Sequence, residues 1–289
     1  IIGDIPIYGA MDSADTWANP WLFKLDEKNC PTQVAGCPPD GFSATGQLWG
    51  NPLYNWEVHR NSGYEWWVKR IANCFRLYDV VRIDHFRGFD EYYAIPYGDK
   101  TAENGWWEKG PGIELFRTIS EKLGHREIIA EDLGYMTDTV KRLVEESGYP
   151  NMKVIEFAFD ERDTGNASDY LPHNYPRNCV VYTGTHDNET LISWLEDITP
   201  QERRQVRKYL NNFHDSGKEL CDDLICLVMQ SVADLCIIPM QDYLGLDNSA
   251  RMNQPSTLGK NWKWRLKEGQ FSKELRGEML ELAGRYGRL

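Results

Sequence analysis

An acidic residue follows an arginine by two positions at the end of an apolar run. In Val81–Gly88, Arg82 and Asp84 would point to the same side of a strand. Attraction to the guanidinium keeps such a carboxylate ionised, and an ionised, positioned carboxylate is what a glycosidic nucleophile must be. A structural Arg–Asp ion pair explains the motif equally well, so both interpretations stay open.

A second acidic residue, Glu131, ends the apolar run Ile128–Ala130. Partial desolvation raises the pKa of a carboxyl group, which then keeps the proton that a general acid must donate. The next residue, Asp132, points the other way and is a candidate for fixing a loop or capping a helix. For Glu131 too, a carboxylate that caps the following turn is a real alternative.

A third acidic residue, Asp187, follows His186 after another apolar run. A carboxylate accepts paired hydrogen bonds from neighbouring sugar hydroxyls, but Asp187 is equally a candidate N-cap for the helix that residues 188–190 open. A single histidine after a strand is more often structural than catalytic, and its neighbours lack zinc-ligand spacing. We therefore predict no metal and no cofactor.

Taken together, the three acids suit retaining glycoside chemistry. This chemistry requires a nucleophile and an acid/base, and a third carboxylate would bind hydroxyls. The chain also contains 11 Trp, whose flat faces stack on sugar rings, although most of them are expected to pack in the core.

Composition excludes several classes of protein. The 289 residues include 32 Lys+Arg and 44 Asp+Glu, a net charge of −12, which argues against nucleic-acid partners and anionic membrane surfaces. No apolar run reaches the roughly 20 residues of a membrane span. The 7 Cys include no C-x-x-C motif, and Cys30 and Cys37 lack a nearby His for a metal site. Free buried thiols in a reducing, cytoplasmic compartment are the expectation.

Six apolar runs of strand length predict parallel strands that are buried on both faces. They are Ile1–Tyr8, Val80–His85, Glu127–Asp132, Met152–Phe159, Cys179–Asp187 and Leu235–Gln241. Helical patterns lie between them, at Ser62–Tyr78, Gly112–Leu123, Thr137–Glu146, Pro200–Phe213 and Lys218–Ala233. The alternation predicts an α/β fold. Acids at the carboxyl ends of the strands, including Asp160, favour a (β/α)₈ TIM barrel, and the absence of a Gly-rich phosphate loop disfavours a doubly wound sheet.

Six strands are two fewer than a closed barrel needs. Because the chain opens on an apolar run at Ile1 without Met, we expect an incomplete barrel in which strands 3 to 8 are present. We also expect the isolated chain to be inactive or poorly folded. The whole chain, residues 1–289, is predicted to be a partial catalytic barrel. Residues 9–79 are predicted to form an insertion subdomain that is poor in strands, and a charged helix is predicted to close the chain.

At these residues the sequence resembles the 4-α-glucanotransferases (amylomaltases, disproportionating enzymes) among the α-amylase-like barrel enzymes. The similarity runs along the whole chain. It is carried by Ile2–Ile7, Pro38–Pro52, Arg82–Gly88, Ala130–Gly134, Thr185–Thr190 and Asn253–Pro255, of which Pro38–Pro52 is the most specific. Some relatives carry an aromatic residue at the position of Gly41, a departure that concerns loop packing and product size and leaves the implied chemistry unchanged.

The resemblance implies roles for individual residues. Asp84 would be the nucleophile, Glu131 the acid/base and Asp187 the transition-state stabiliser. Residues 38–52 would form a loop that covers the glucan. The implied substrate-binding residues are Arg82, His186, Asp40, Phe42, Gln47, Trp49, Tyr54 and His85. The implied activity is retaining transfer of α-1,4-glucan segments between maltooligosaccharides. An α-glucan hydrolase and a non-catalytic glucan-binding protein are the alternatives.

Overall fold

The structure, a computed structural model, describes residues 1–40, 43–134, 136–160, 167–213, 216–255 and 257–289. These residues form two compact units, Ile1–Asn151 and Met152–Leu289. The strands are β1 (Ile2–Ile5), β2 (Gln33–Cys37), β3 (Gln47–Pro52), β4 (Val80–Ile83), β5 (Glu91–Pro96), β6 (Trp106–Lys109), β7 (Ile128–Ala130), β8 (Asn151–Val154), β9 (Cys179–Tyr182) and β10 (Leu235–Ile237).

Ten α-helices lie within the described residues. They are α1 (Ala14–Ala18), α2 (Trp56–Asn61), α3 (Glu65–Cys74), α4 (Ile113–Leu123), α5 (Asp138–Ser147), α6 (Leu191–Asp197), α7 (Pro200–Leu210), α8 (Gly217–Met229), α9 (Met240–Tyr243) and α10 (Lys273–Arg285). The five helices predicted from the sequence are confirmed with bounds shifted by a few residues, and α10 is the predicted closing helix.

In the first unit, β1, β4 and β7 are parallel neighbours in chain order. Ala130 of β7 also pairs with Asn151, the first residue of β8. The strands are short and apolar, and β7 is buried at every position, as expected for strands covered on both faces. The register sets Asp4 opposite Arg82, and β4 ends one residue before Asp84.

A second sheet in this unit is antiparallel, in the order β3-β2-β5-β6. This sheet was not predicted from the sequence, and the expectation that residues 9–79 are poor in strands is wrong for β2 and β3. A register shift between Val34 and Gly36 interrupts the pairing of β2 with β3. Most residues of β6 are exposed. Neither pattern shows the apolar alternation that identifies a strand.

Aromatic packing dominates the core of the first unit. Trp67 is completely buried, whereas Trp17 is 87% exposed. The Trp67 ring lies 5.5 Å from Tyr54 and 5.2 Å from Phe89, edge to face in both cases. The expectation that most tryptophans pack in the core is wrong, because of the described tryptophans only Trp56, Trp67 and Trp194 are buried. Six others are exposed, namely Trp17, Trp21, Trp49, Trp106, Trp107 and Trp262.

In the second unit, β8, β9 and β10 are neighbours in chain order, and β10 is parallel to β9. The predicted strand Met152–Phe159 is too long, because β8 ends at Val154 and a 3₁₀ helix spans Ile155–Phe159. Asp160 therefore follows a helical turn and not a strand. The start of α7 agrees with the sequence, since Thr199 and Glu202 form a capping box with Pro200 in the first turn.

Among the described strands of each unit, the order of the parallel strands does not reverse, as it would at the switch point of a doubly wound sheet. Parallel strands that follow chain order with helices between them are the architecture of a (β/α)₈ barrel. All seven cysteines are free thiols. Among the described residues, no helix combines the length and the apolar character that are needed to cross a membrane.

Candidate active site

Arg82 links two carboxylates in the first unit. Its Nη1 donates to both oxygens of Asp4 at 2.7 Å, and its Nη2 lies 3.0 Å from Asp84 Oδ1. The guanidinium is 9% exposed, whereas the two carboxyl groups are each 41% exposed. The predicted Arg–Asp contact is confirmed, and it leaves Asp84 open enough to meet a ligand.

The positive charge of Arg82 is stabilised by the carboxyl groups around it. Burial by itself lowers the pKa of a guanidinium, but attraction to Glu131, Asp4 and Asp84 raises the pKa of Arg82 above its ordinary value. A cation that is fixed beside Asp84 favours the ionised form of that carboxyl group, as a nucleophile requires.

Glu131 is 9% exposed and is held through both of its oxygens. Its Oε2 accepts from His85 N at 2.6 Å, and its Oε1 accepts from Leu133 N at 2.8 Å. The second contact is the turn-capping role that the sequence left open. The carboxyl group therefore has a fixed orientation at the end of β7.

Burial and the like charge of Asp84 raise the pKa of Glu131 to about 7, while Arg82 and the two backbone donors pull it down. Two acids in one cluster thus have different surroundings, since Asp84 pairs with a guanidinium and Glu131 is desolvated. A pair of carboxyl groups with one stabilised anion and one retained proton can divide nucleophile and acid roles.

His85 lies between Asp84 and the 3₁₀ helix Phe86–Phe89 and adopts a left-handed backbone, with φ of 52°. That turn directs its N–H at Glu131. Burial and the Arg87 charge lower the pKa of the His85 ring to about 3, so the ring is neutral at ordinary pH. Its Nε2 is buried and has no hydrogen-bond partner among the described residues.

The predicted covering loop reaches this cluster through Trp49. The indole meets the His85 ring edge to face at 4.8 Å and remains 37% exposed, and its Nε1 donates to Gln47 Oε1 at 3.0 Å. Asp40 is exposed and accepts from Ser43 N at 2.7 Å. Gly41 and Phe42 lie outside the described residues.

Tyr54 does not reach the surface of the cluster. It is 1% exposed, and its hydroxyl donates to the carbonyl of Ile7 at 2.8 Å. Its ring stacks behind Tyr8 at 6.0 Å, and Tyr8 in turn meets Trp49 at 6.3 Å. Direct contact of Tyr54 with a substrate does not fit this arrangement, and its role here is to support the two rings in front of it.

In the second unit, His186 and Asp187 follow β9 by several residues, so the predicted strand Cys179–Asp187 is too long. His186 Nε2 lies 3.4 Å from Asp187 Oδ2, and Asn253 Nδ2 donates to Asp187 Oδ1 at 2.5 Å. The N-cap of α6 is Thr190, so the alternative in which Asp187 caps this helix is wrong.

Sequence reasoning missed Asp4 and Arg251 and assigned no role to Asn253. Asp4 and Asn253 lie inside two segments that carried the resemblance, Ile2–Ile7 and Asn253–Pro255. This position was the sequence feature that could have identified them. The guanidinium of Arg251 donates to the Asp187 carbonyl at 2.6 Å. Arg251 lies in the polar tail of residues 246–264, where no sequence pattern indicates a functional residue.

Comparisons with known proteins concern the family and the fold. The sequence profile of the family described as 4-alpha-glucanotransferase matches residues 1–271. A 4-alpha-glucanotransferase from Clostridium butyricum is 50% identical over 100% of this chain and 58% of its own. Amylomaltase from Streptococcus agalactiae, solved in complex with acarbose, has a TM-score of 0.94 at 42% identity and covers 100% of this chain and 57% of its own. Amylomaltase from Corynebacterium glutamicum has a TM-score of 0.77 at 18% identity, covering 98% of this chain and 46% of its own, which concerns the fold alone.

The fold is thus that of α/β proteins with an incomplete (β/α)₈ barrel, and the first unit carries a desolvated acid beside an arginine-paired one. The chain belongs to the 4-alpha-glucanotransferase family. It spans a little over half the length of the curated relatives that it matches.

Proposed function

We propose that this protein is a 4-alpha-glucanotransferase that transfers α-1,4-glucan segments between maltooligosaccharides. The observation that carries the proposal is the pairing of Asp84 with Arg82 next to a buried Glu131 whose pKa is raised to about 7. Family membership supports the substrate class, as does the acarbose complex of the Streptococcus agalactiae amylomaltase.

The proposed reaction has two displacements. Asp84 attacks the anomeric carbon while the proton of Glu131 passes to the departing sugar oxygen, so that a β-linked glucosyl–enzyme ester forms and the glycosidic bond breaks. Glu131, now ionised, takes the proton from the 4-hydroxyl of an acceptor sugar, whose oxygen displaces Asp84. Two inversions retain the α configuration.

Transfer instead of hydrolysis requires that the acceptor sugar excludes water from the ester. We assign this task to residues 38–52, because Trp49 of that segment contacts His85 beside the two acids. In this proposal His85, Gln47, Asp40 and Phe42 bind glucan, and residues 9–79 form the insertion that carries the loop. Cytoplasmic maltodextrins are the proposed substrates.

The second unit supplies the third acid of the proposal. Asp187 would stabilise the transition state through sugar hydroxyls, with His186 beside it. The support is the hydrogen-bonded orientation of the Asp187 carboxyl group and the match of residues 185–190 to the family pattern.

Product analysis of the full-length protein with maltotriose tests the activity. Glucose together with oligosaccharides longer than maltotriose means transfer, glucose and maltose alone mean hydrolysis, and binding without turnover means a glucan-binding protein. Asp84→Asn and Glu131→Gln should each lower kcat by on the order of a thousandfold or more, as removal of a member of a catalytic unit does.

Matched controls are available for both substitutions. Asp12→Asn and Glu127→Gln make the same chemical changes at exposed positions of the first unit and should leave kcat within about twofold, as surface changes do. Near-normal turnover by Asp84→Asn or Glu131→Gln would refute the assignment of that residue.

A further inference from the structure

The polar tail after α9, residues 246–264, forms hydrogen bonds with the segment that contains His186 and Asp187. Asn248 forms three hydrogen bonds with this segment. Its Nδ2 donates to Glu189 Oε1 at 2.6 Å, and its Oδ1 accepts from Thr190 N at 3.1 Å. Its backbone N donates to Ser193 Oγ at 2.8 Å. Asn253 N donates to the carbonyl of His186 at 3.0 Å. These contacts join two pieces of chain that are about 60 residues apart in sequence.

Arg251 uses all three of its guanidinium nitrogens at this junction. Nη2 donates to the Asp187 carbonyl at 2.6 Å, and Nε donates to the Asn253 carbonyl at 2.9 Å. Nη1 lies 3.8 Å from Glu189 Oε1. One planar group therefore ties the backbone of Asp187 to the backbone of Asn253, a geometry that the rigid fork of arginine allows and a lysine cannot reproduce.

Asn253 also orients the side chain of Asp187. Its Nδ2 donates to Oδ1 at 2.5 Å, while His186 Nε2 lies 3.4 Å from Oδ2. The Asp187 side chain is 41% exposed, so packing alone does not determine its rotamer. The amide of Asn253 is a neutral donor, which orients the carboxylate and leaves its negative charge in place.

We propose that Arg251 and Asn253 are positioning residues that hold the Asp187 carboxylate in its working orientation. This inference rests on the proposed function, in which Asp187 binds sugar hydroxyls at the transition state. A group aligned before the reaction stabilises the transition state without reorganising during it, and a misplacement of about 1 Å can cost on the order of a hundredfold in rate.

Asn253→Asp in the full-length protein is the main test. The substitution keeps the size of the side chain but replaces the donor with a second carboxylate beside Asp187. We expect kcat for maltotriose to fall on the order of ten- to a hundredfold, with KM within about threefold, because orientation at the transition state is lost while ground-state binding persists. Arg251→Lys should give a smaller loss of the same kind.

Asn261→Asp is the matched control. Asn261 lies in the same tail but bonds only to Gln254 and Thr257 in the described structure. Its substitution loosens the tail without touching Asp187, and we expect kcat to stay within about twofold of the unmodified protein. Equal losses in both variants, or a raised KM at unchanged kcat, would overturn the positioning role.

A crystal structure of Asn253→Ala separates this inference from the proposed function. The proposal expects the Asp187 side chain to leave its present rotamer while the backbone of residues 185–190 stays in place. If it keeps its rotamer, the positioning role fails even if the enzyme is a glucanotransferase. If it moves but the unmodified full-length protein does not transfer glucan, the proposed function fails and the positioning contact stands.

Discussion

Glu131 shows how one carboxyl group can meet a structural and a chemical requirement together. Its oxygens accept from two backbone donors, which pull its pKa down, yet burial and Asp84 outweigh them and raise the pKa to about 7. Capping the turn holds the group in place, and desolvation keeps its proton. The two interpretations that the sequence left open are therefore compatible.

The pKa of Glu131 predicts the alkaline limb of the activity profile. The first step needs the protonated acid, whose fraction falls tenfold per pH unit well above the pKa. We expect kcat/KM of the full-length protein to decline above about pH 7. Initial rates with maltotriose from pH 5 to 9 measure this, and a profile that stays flat to pH 9 would contradict it.

The same shift predicts a pH dependence of stability. The folded-state pKa, about 7, lies above the ordinary value of 4.5, so the folded state binds this proton more tightly than the unfolded state. The contribution is complete below about pH 4.5 and is lost as the pH rises through about 7. Between pH 4.5 and 8 we expect the unfolding free energy to fall by on the order of 1–3 kcal/mol more than in Glu131→Gln.

Urea unfolding of both proteins at each pH gives this difference, and it cancels the other titrating groups that the two proteins share. Equal pH slopes would show that the carboxyl group does not carry the shifted pKa.

At the scale of elements, strand register decides which side chains meet. Asp4 lies opposite Arg82 because β1 and β4 pair in parallel with Ile2 beside Val80. A slip of one residue would turn the Asp4 side chain to the other face of the sheet and away from the guanidinium. The arginine that faces Asp84 is thus held by a partner 78 residues earlier in the chain.

The antiparallel sheet of the first unit depends on a glycine. A Cβ atom at Gly36 would lie 2.1 Å from the Gln47 carbonyl oxygen and 2.4 Å from Ile95 Cδ1. Because a backbone carbonyl cannot move aside at a small cost in free energy, we expect Gly36→Ala to lower the unfolding free energy by about 1–3 kcal/mol.

Gly217→Ala is the control for that substitution. It begins α8 with open space around the new methyl group, and it should leave stability unchanged or raise it by up to about 1 kcal/mol. Urea midpoints measure both variants, and an equal effect in the two would contradict the close approach at Gly36.

At the scale of the whole chain, the 289 residues carry a net charge of −12, whereas the site is proposed to bind an uncharged sugar. Screening by salt acts on interactions between charges, so a neutral substrate should be indifferent to it. We expect KM for maltotriose to stay within about twofold between 0.05 and 0.5 M NaCl, with KCl as the control for specific ions. A steep dependence of this KM on ionic strength would contradict the expectation.

The sequence by itself determined the α/β alternation, the six parallel strands, the acids beside their ends and the family, because these depend on local apolar periodicity and on motifs of adjacent residues. It could not determine the antiparallel sheet, whose strands are interrupted or exposed, nor the buried position of Tyr54. Only the tertiary structure brought Asp4 to Arg82 and Arg251 to Asp187. Those contacts join residues that are 78 and 64 positions apart, and pairings at such distances depend on strand register and chain path, which no local pattern encodes.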